Sequence, residues 1–394
     1  MSPVRATLTG TWPGADASQA VAAAVQELGA PHLPVIPELP ARGPGSDPTG
    51  RTAVMLDELA VDLQPHGWRL TDTPGVDARR GASTWRADLN RLADAVGETG
   101  GGLEEIVLRI VGPLTLAARL WLPGGERALS DSGARRDVAD SLASGLAEQV
   151  RVVQSVTGAH RVTVVLAEPD AGQVLSGQVP TASGYRTVRS VPRVEARRAW
   201  STVATAVAQA GGQNGAGVMF APGLAQGDDD SGPSWTDLAL LVSESLPPAS
   251  VSAVEGPAEG GAVGEVTATE PTGSDTAPPL RGLVLPVPRL EGPGADPARW
   301  EVIAGWVEAG RTVVLGLDRP SSGTAAHAAV EATVRALLKD WERMGLDEEV
   351  LGQLVLRGPG LADTTPDRAL EVTRAVVRGA ETLERMRVDG ELAR

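Results

Sequence analysis

The side chains that could do chemistry are few in this 394-residue chain, and one type is missing outright: there is no cysteine. A thiol nucleophile, a disulfide framework, a cysteine-held zinc and an iron–sulfur cluster are therefore excluded. The four histidines, His32, His66, His160 and His327, include no pair at the four-residue spacing of a metal-binding helix face. Any metal site would need carboxylates or scattered histidines. Among the carboxylates, Glu168 closes an apolar run, where a low dielectric would raise its pKa and suit it to general acid work. A structural hydrogen bond to a neighbouring loop would use it equally well. His66 reads as a loop histidine, and His327, among small residues before a helix, as inert. Asp228, Asp229 and Asp230 lie among Gly and Ser and read as a solvated loop. Trp12 and Trp68 stand beside polar residues, able either to stack on a planar ligand or to cover an opening. Arg69 offers the planar fork that fits a carboxylate.

The elements that must position these residues follow from the apolar pattern. Apolar, β-branched runs predict strands at 6–11, 60–63, 106–111, 161–166, 216–220, 282–287, 312–317 and 353–357. The runs from Ile106 and from Arg161 are almost continuously apolar, as in strands of a parallel sheet covered on both faces. Between the runs lie helical stripes such as Leu142, Leu146, Val150 and Val153, and Val372, Val376, Ala380 and Leu383. Thr365 and Pro366 form the start signal of the last helix. Eight strands interleaved with helices predict an α/β fold, a (β/α)8 TIM barrel with loop insertions; an open doubly wound sheet stays compatible with the pattern alone. The chain reads as a single domain over 1–394, with a low-complexity insertion at 255–279. In such a barrel the functional residues stand at the C-terminal strand ends.

Composition narrows the partners. The 50 Asp+Glu against 35 Lys+Arg leave a net charge of −15, which argues against a nucleic-acid partner held through phosphates. No apolar run reaches the roughly 20 residues of a membrane span, and the opening residues carry no leader pattern, so a cytoplasmic protein is expected. Aromatics are 3% of residues, nine of the eleven being Trp, so the core must be Ala, Val and Leu packing.

Several motifs together resemble the C-terminal-domain family of cobalamin-independent methionine synthases, in its short single-barrel actinobacterial form. They are Gly10-Thr11-Trp12-Pro13-Gly14, Pro31-His32-Leu33-Pro34 and Pro37-Glu38-Leu39-Pro40 running on through Gly45. Asp62-Leu63-Gln64-Pro65 with Gly67-Trp68-Arg69-Leu70, Val111-Gly112-Pro113-Leu114-Thr115 and Val179-Pro180-Thr181-Ala182-Ser183-Gly184 follow, then Gly358-Pro359-Gly360-Leu361-Ala362 near the end. The resemblance covers most of the chain outside 255–279. It implies the barrel fold, a place in methionine biosynthesis, and methyl transfer from a methylated folate or another donor to the homocysteine thiol. In the family a zinc ion, held by a His-x-Cys pair, a carboxylate and a second Cys, makes that thiol a thiolate near neutral pH.

Those ligand positions fall on Val218, Met219 and Phe220 and on Pro359, and the run 283–287 offers no carboxylate. The family's Asp-Glu-Pro reads Ala167-Glu168-Pro169, and its small hydroxyl is kept as Thr11. An apolar set of Val218, Phe220 and Pro359 cannot desolvate zinc. The expectation is a degenerate homologue with no metal and no cofactor, acting as a ligand-binding or scaffold protein. Its ligand would be an amino acid or a folate-like molecule met by Thr11, Trp12, Trp68, Arg69 and Glu168. The alternative is an active methyltransferase using homocysteine through an altered or absent metal site, in which Glu168, His66 and Asp318 would converge.

Overall fold

Seven of the eight apolar runs contribute strands to one parallel sheet, their apolar residues covered on both faces. The computed structural model describes residues 2–212, 215–223, 233–245, 280–292, 295–320 and 325–389; the stretch 255–279 and Asp228, Asp229 and Asp230 lie outside them. The first half of the described chain runs β1 (Arg5–Thr7), α1 (Ala17–Glu27), α2 (Pro48–Ala53), β2 (Ala60–Gln64), β3 (Gly67–Thr71), α3 (Val76–Glu98), β4 (Glu105–Val111), α4 (Pro113–Arg119) and α5 (Ser132–Thr157). The second half runs β5 (Arg161–Glu168), α6 (Ala171–Ser176), α7 (Arg193–Ala210), β6 (Ala216–Pro222), α8 (Trp235–Ser245), β7 (Leu280–Pro286), α9 (Pro297–Glu308), β8 (Thr312–Gly316), α10 (Ala326–Arg343), β9 (Leu354–Arg357) and α11 (Pro366–Asp389).

The sheet order is β1-β9-β8-β7-β6-β5-β4, every neighbour parallel. The sheet curls into a half-barrel, an α/β layout compatible with a TIM-like fold, and differs from the expected closed barrel of eight strands. The run 60–63 is not the missing strand. It belongs to β2, which forms a separate antiparallel hairpin with β3 across Pro65 and His66. Val61 and Leu63 alternate with polar residues there, the period-2 pattern of a strand with one face buried.

Residues 33–36 run along the gap between β1 and β4. Leu33 N donates to Ala6 O at 2.9 Å, Val107 N to Pro34 O at 2.8 Å and Ile36 N to Val107 O at 2.9 Å. Pro34 and Pro37 have no N–H to give, so a regular ladder cannot form on this segment.

The helices pack on the outer face of the sheet. In α5, Leu142, Leu146, Val150 and Val153 are buried, and Asp131 and Gly158 cap its ends, Gly158 in the left-handed region at φ 60°. Thr365 Oγ1 accepts from Arg368 N at 3.3 Å and starts α11, whose buried face includes Val372, Val376, Ala380 and Leu383. The few aromatics fill this helix–sheet layer, Trp200 edge-on to Phe220 at 4.6 Å and Trp300 edge-on to Trp341 at 6.4 Å.

Candidate functional site

Side chains alternate across each strand, so every second residue faces the concave side of the curled sheet. At the middle and C-terminal ends of the strands these are Val107 and Arg109 from β4, Val165 from β5, Met219 from β6, Val284 from β7, Val314 from β8 and Arg357 from β9. With Thr7, Thr9 and Leu33 they enclose a cavity of about 10 Å³, room for about one water.

Two of these side chains are arginines that lie inside apolar runs. Arg109 Nη1 donates to Glu38 Oε2 at 2.9 Å, and Glu38 is almost fully buried. The Arg357 side chain makes no hydrogen bond or ion pair with the described residues, and its Nε is buried without a partner. Burial, with the Arg109 charge beside it, holds the Arg357 guanidinium down to about 10. The neighbouring hydroxyls are occupied: Thr7 Oγ1 donates to Leu33 O and Thr9 Oγ1 to Pro359 O, each at 2.9 Å. Neither arginine was marked by the sequence reading. The available signal was an Arg in phase with the inward positions of a strand buried on both faces.

Glu168 sits at the end of β5 in phase with Val162, Val164 and Leu166, on the helix side of the sheet. Its Oε1 accepts from Leu114 N at 3.0 Å and Trp200 Nε1 at 2.9 Å, and its Oε2 from Thr115 N at 2.7 Å. The carboxylate thus takes the first free N–H groups of α4, an arrangement a helix N-terminus favours. Burial pushes the carboxyl above its usual range, against the opposing hydrogen bonds from Thr115, Trp200 and Leu114. A Cβ at Gly112 would come within 2.5 Å of Glu168 Cδ, so only glycine admits this contact. Asp170 extends the same device, receiving Arg119 Nε at 2.8 Å and Nη2 at 3.0 Å.

Thr11 is partly buried beside the loop after β9, where its carbonyl accepts from Leu361 N at 3.3 Å. Trp12 is buried, its backbone N–H donating to Glu38 O at 2.8 Å and its indole Nε1 unpartnered. Trp68 and Arg69 belong to the hairpin, a different sheet from the strand that precedes Thr11 and Trp12. The Trp68 ring is buried against Gly50 of α2. Arg69 is paired in register with Asp62, its Nε buried without a hydrogen-bond partner. His66 stacks edge-on to Trp121 at 4.8 Å, and Asp318 is exposed.

The positions matched to the family's zinc ligands carry no donor side chain. Val218 and Phe220 share the outward phase of β6, Phe220 against Trp200, while the inward residue between them is Met219. Pro359 is buried in the loop after β9. Among the described residues no group of three or more His, Asp or Glu is placed to hold a metal ion. The side chains present do not fit a zinc centre of the family's kind.

At the opposite, N-terminal end of the strands, Glu105 is buried beneath three arginines. Arg5 and Arg161 reach its Oε2 at 3.2 and 3.4 Å, and Thr163 Oγ1 donates to its Oε1 at 2.5 Å. Arg281 is held down to about 10 by burial and by Arg161, against the pull of Glu105. At this end of such a sheet, charge pairs serve stability.

No helix among the described residues is long and apolar enough to cross a membrane. Comparison with protein-family models finds no match, and comparison with curated proteins finds none. Among solved structures, the chain is similar to a B12-independent methionine synthase from Shewanella sp. W3-18-1 in complex with selenomethionine, at 14% identity over 78% of this chain and 67% of that one, TM-score 0.41. It is also similar to a methyltransferase from Methanosarcina mazei, at 13% identity over 97% and 94% of the two chains, TM-score 0.49. An Old Yellow Enzyme from Pichia sp. AKU4542 follows at 12% identity over 95% and 81%, TM-score 0.43.

Proposed function

We propose that this protein is a small-molecule-binding relative of the methionine synthases that does not carry out zinc-dependent methyl transfer. The observation that carries this reading is the make-up of the concave face at the strand ends. Val165, Met219, Val284 and Val314 stand there with Arg109 and Arg357, and no thiolate, imidazole or carboxylate is among them. A thiolate generated at neutral pH needs a metal or a base within reach, and these side chains supply neither. The resemblance makes an amino acid or a folate-like molecule the expected ligand. Nucleic acid and membrane have no part in this reading, and a cytoplasmic location goes with it.

An active methyltransferase with altered ligands would draw on Glu168, His66 and Asp318. Their contacts count against it: the Glu168 oxygens are taken up by α4 and Trp200, His66 packs on Trp121, and Asp318 stands in solvent. The test is elemental analysis of protein purified without chelator or affinity metal, with an assay for methionine formed from homocysteine and a methylated folate. We expect no stoichiometric metal, no methionine, and saturable binding of homocysteine or the folate by calorimetry. Zinc near one per chain, or catalytic formation of methionine, would overturn the proposal.

A further inference from the structure

The arginines of the fold differ in their partners. Arg119 and Arg135 are each gripped by a carboxylate through two nitrogens, Asp170 and Glu195 respectively. Arg357 has the opposite environment. It lies at the C-terminal end of β9, lines the cavity between the strand ends and has a second guanidinium, Arg109, as its charged neighbour. Glu38 pairs directly with Arg109 and also lies within electrostatic reach of the buried Arg51. Glu38 is thus shared between Arg109 and Arg51, and no carboxylate among the described residues pairs with Arg357.

One glycine makes room for the Arg357 guanidinium itself. A Cβ at Gly316 would come within 2.8 Å of Arg357 Nη2, whereas one at Gly10 would stand in ordinary contact with Val35 and Arg109. Gly10 also holds φ at 103°, a conformation in which any other residue would be strained. The hydroxyls of Thr7 and Thr9 are spent on backbone carbonyls, so the guanidinium N–H groups are the donors left to a ligand.

We propose that Arg357, with Arg109 beside it, receives the carboxylate of a small-molecule ligand at the C-terminal end of the curled sheet. This rests on the ligand-binding reading above and names the ligand's charged end. A planar carboxylate matches the guanidinium fork through two parallel hydrogen bonds. Its negative charge answers the unpaired guanidinium. The cavity has room for about one water, so the carboxylate edge meets the guanidinium at its mouth and the rest of the ligand stays above it. The apolar rim of Val165, Met219, Val284 and Val314 favours an anion carrying an aliphatic chain over inorganic phosphate.

The experiment follows thermal unfolding of the full chain at constant ionic strength with glutarate, its uncharged analogue glutaramide, and inorganic phosphate. Wild type is compared with Arg357→Met and Arg357→Lys. We expect glutarate to raise the melting temperature saturably, glutaramide and phosphate to have little effect, and Arg357→Met to weaken glutarate binding by about tenfold or more. Arg357→Lys keeps the charge without the fork and should bind with intermediate strength. Without ligand, Arg357→Met should melt above wild type, since it removes an unanswered charge; a variant that fails to fold would make the arginine structural and overturn the proposal. Equal stabilisation by glutaramide, undiminished in Arg357→Met, would refute the carboxylate role and leave ligand binding standing. Phosphate acting in place of glutarate would overturn the choice of anion. If neither probe nor homocysteine nor folate stabilised the protein at millimolar concentration, the ligand-binding reading itself would fall.

Discussion

Glu168 shows how a residue type suited to catalysis is used for architecture once its face of the strand is known. Its oxygens accept two backbone N–H groups of α4 and the Trp200 indole, which leaves it no acceptor role toward the concave face. Burial nevertheless raises its pKa, and the sign of the consequence can be worked out. A carboxyl whose folded pKa lies above its ordinary value stabilises the fold fully below that value, and the contribution is lost as pH rises through the folded pKa. Urea unfolding of wild type and Glu168→Gln at pH 5 and pH 8 should therefore show the wild-type advantage shrinking at the higher pH. An advantage that grew with pH would mean that the hydrogen bonds outweigh burial and hold the carboxylate ionised. Glu168→Ala, which strands three buried donors, should cost on the order of 3 kcal/mol in the same assay. Arg357 runs the other way: its pKa, lowered to about 10, means that its charge opposes folding at neutral pH, and that this opposition fades as pH rises through about 10 toward the ordinary arginine value.

At the scale of elements, the same contact turns a loop motif into a docking device. Gly112 ends β4 and opens α4, and a methyl group there would be driven into the Glu168 side chain. Gly112→Ala should therefore destabilise the protein by about 2 kcal/mol, read as a lower urea midpoint with an unchanged slope. A neutral effect would mean that α4 shifts at no cost and is not fixed by this contact. Much at this scale was legible in the sequence. Seven of the strands, the N-terminal cap of α11 and the buried stripes of α5 and α11 follow from period and capping chemistry. The run 60–63 was misplaced because a half-buried hairpin strand and a short barrel strand share one local pattern, and only the two-residue turn at Pro65 and His66 distinguishes them. The candidate site was harder to read for a related reason. A run treated as uniformly apolar hides which residues face inward, so Val218 and Phe220 stood out while Met219, Arg109 and Arg357, on the concave face, did not. The burial of Trp12 and Trp68 depends on partners distant in sequence, which no local pattern records.

For the whole molecule, the question is whether the curled sheet behaves as one closed cooperative unit across the gap between β1 and β4. Residues 33–36 satisfy backbone groups of both edges, through Ala6 O, Val107 N and Val107 O, although the prolines at 34 and 37 keep them from forming a strand. An open edge exposes a row of unpaired groups and opens locally at little cost, whereas a sealed seam can open only with the core behind it. Leu33, Val35 and Ile36 are each almost completely buried, which places apolar packing behind the three hydrogen bonds. Native-state hydrogen exchange should then find the amides of Leu33, Ile36 and Val107 protected as strongly as those of Val164 and Leu166 in the middle of the sheet. Fast exchange at the seam, with the centre of β5 still protected, would instead describe a half-barrel with a working opening beside β1. The two results bear directly on ligand access, because Leu33, Thr7 and Val107 of the seam line the same cavity as Arg109 and Arg357. A sealed seam leaves the C-terminal strand ends as the way in, and a loose one would let a ligand reach the arginines from the side.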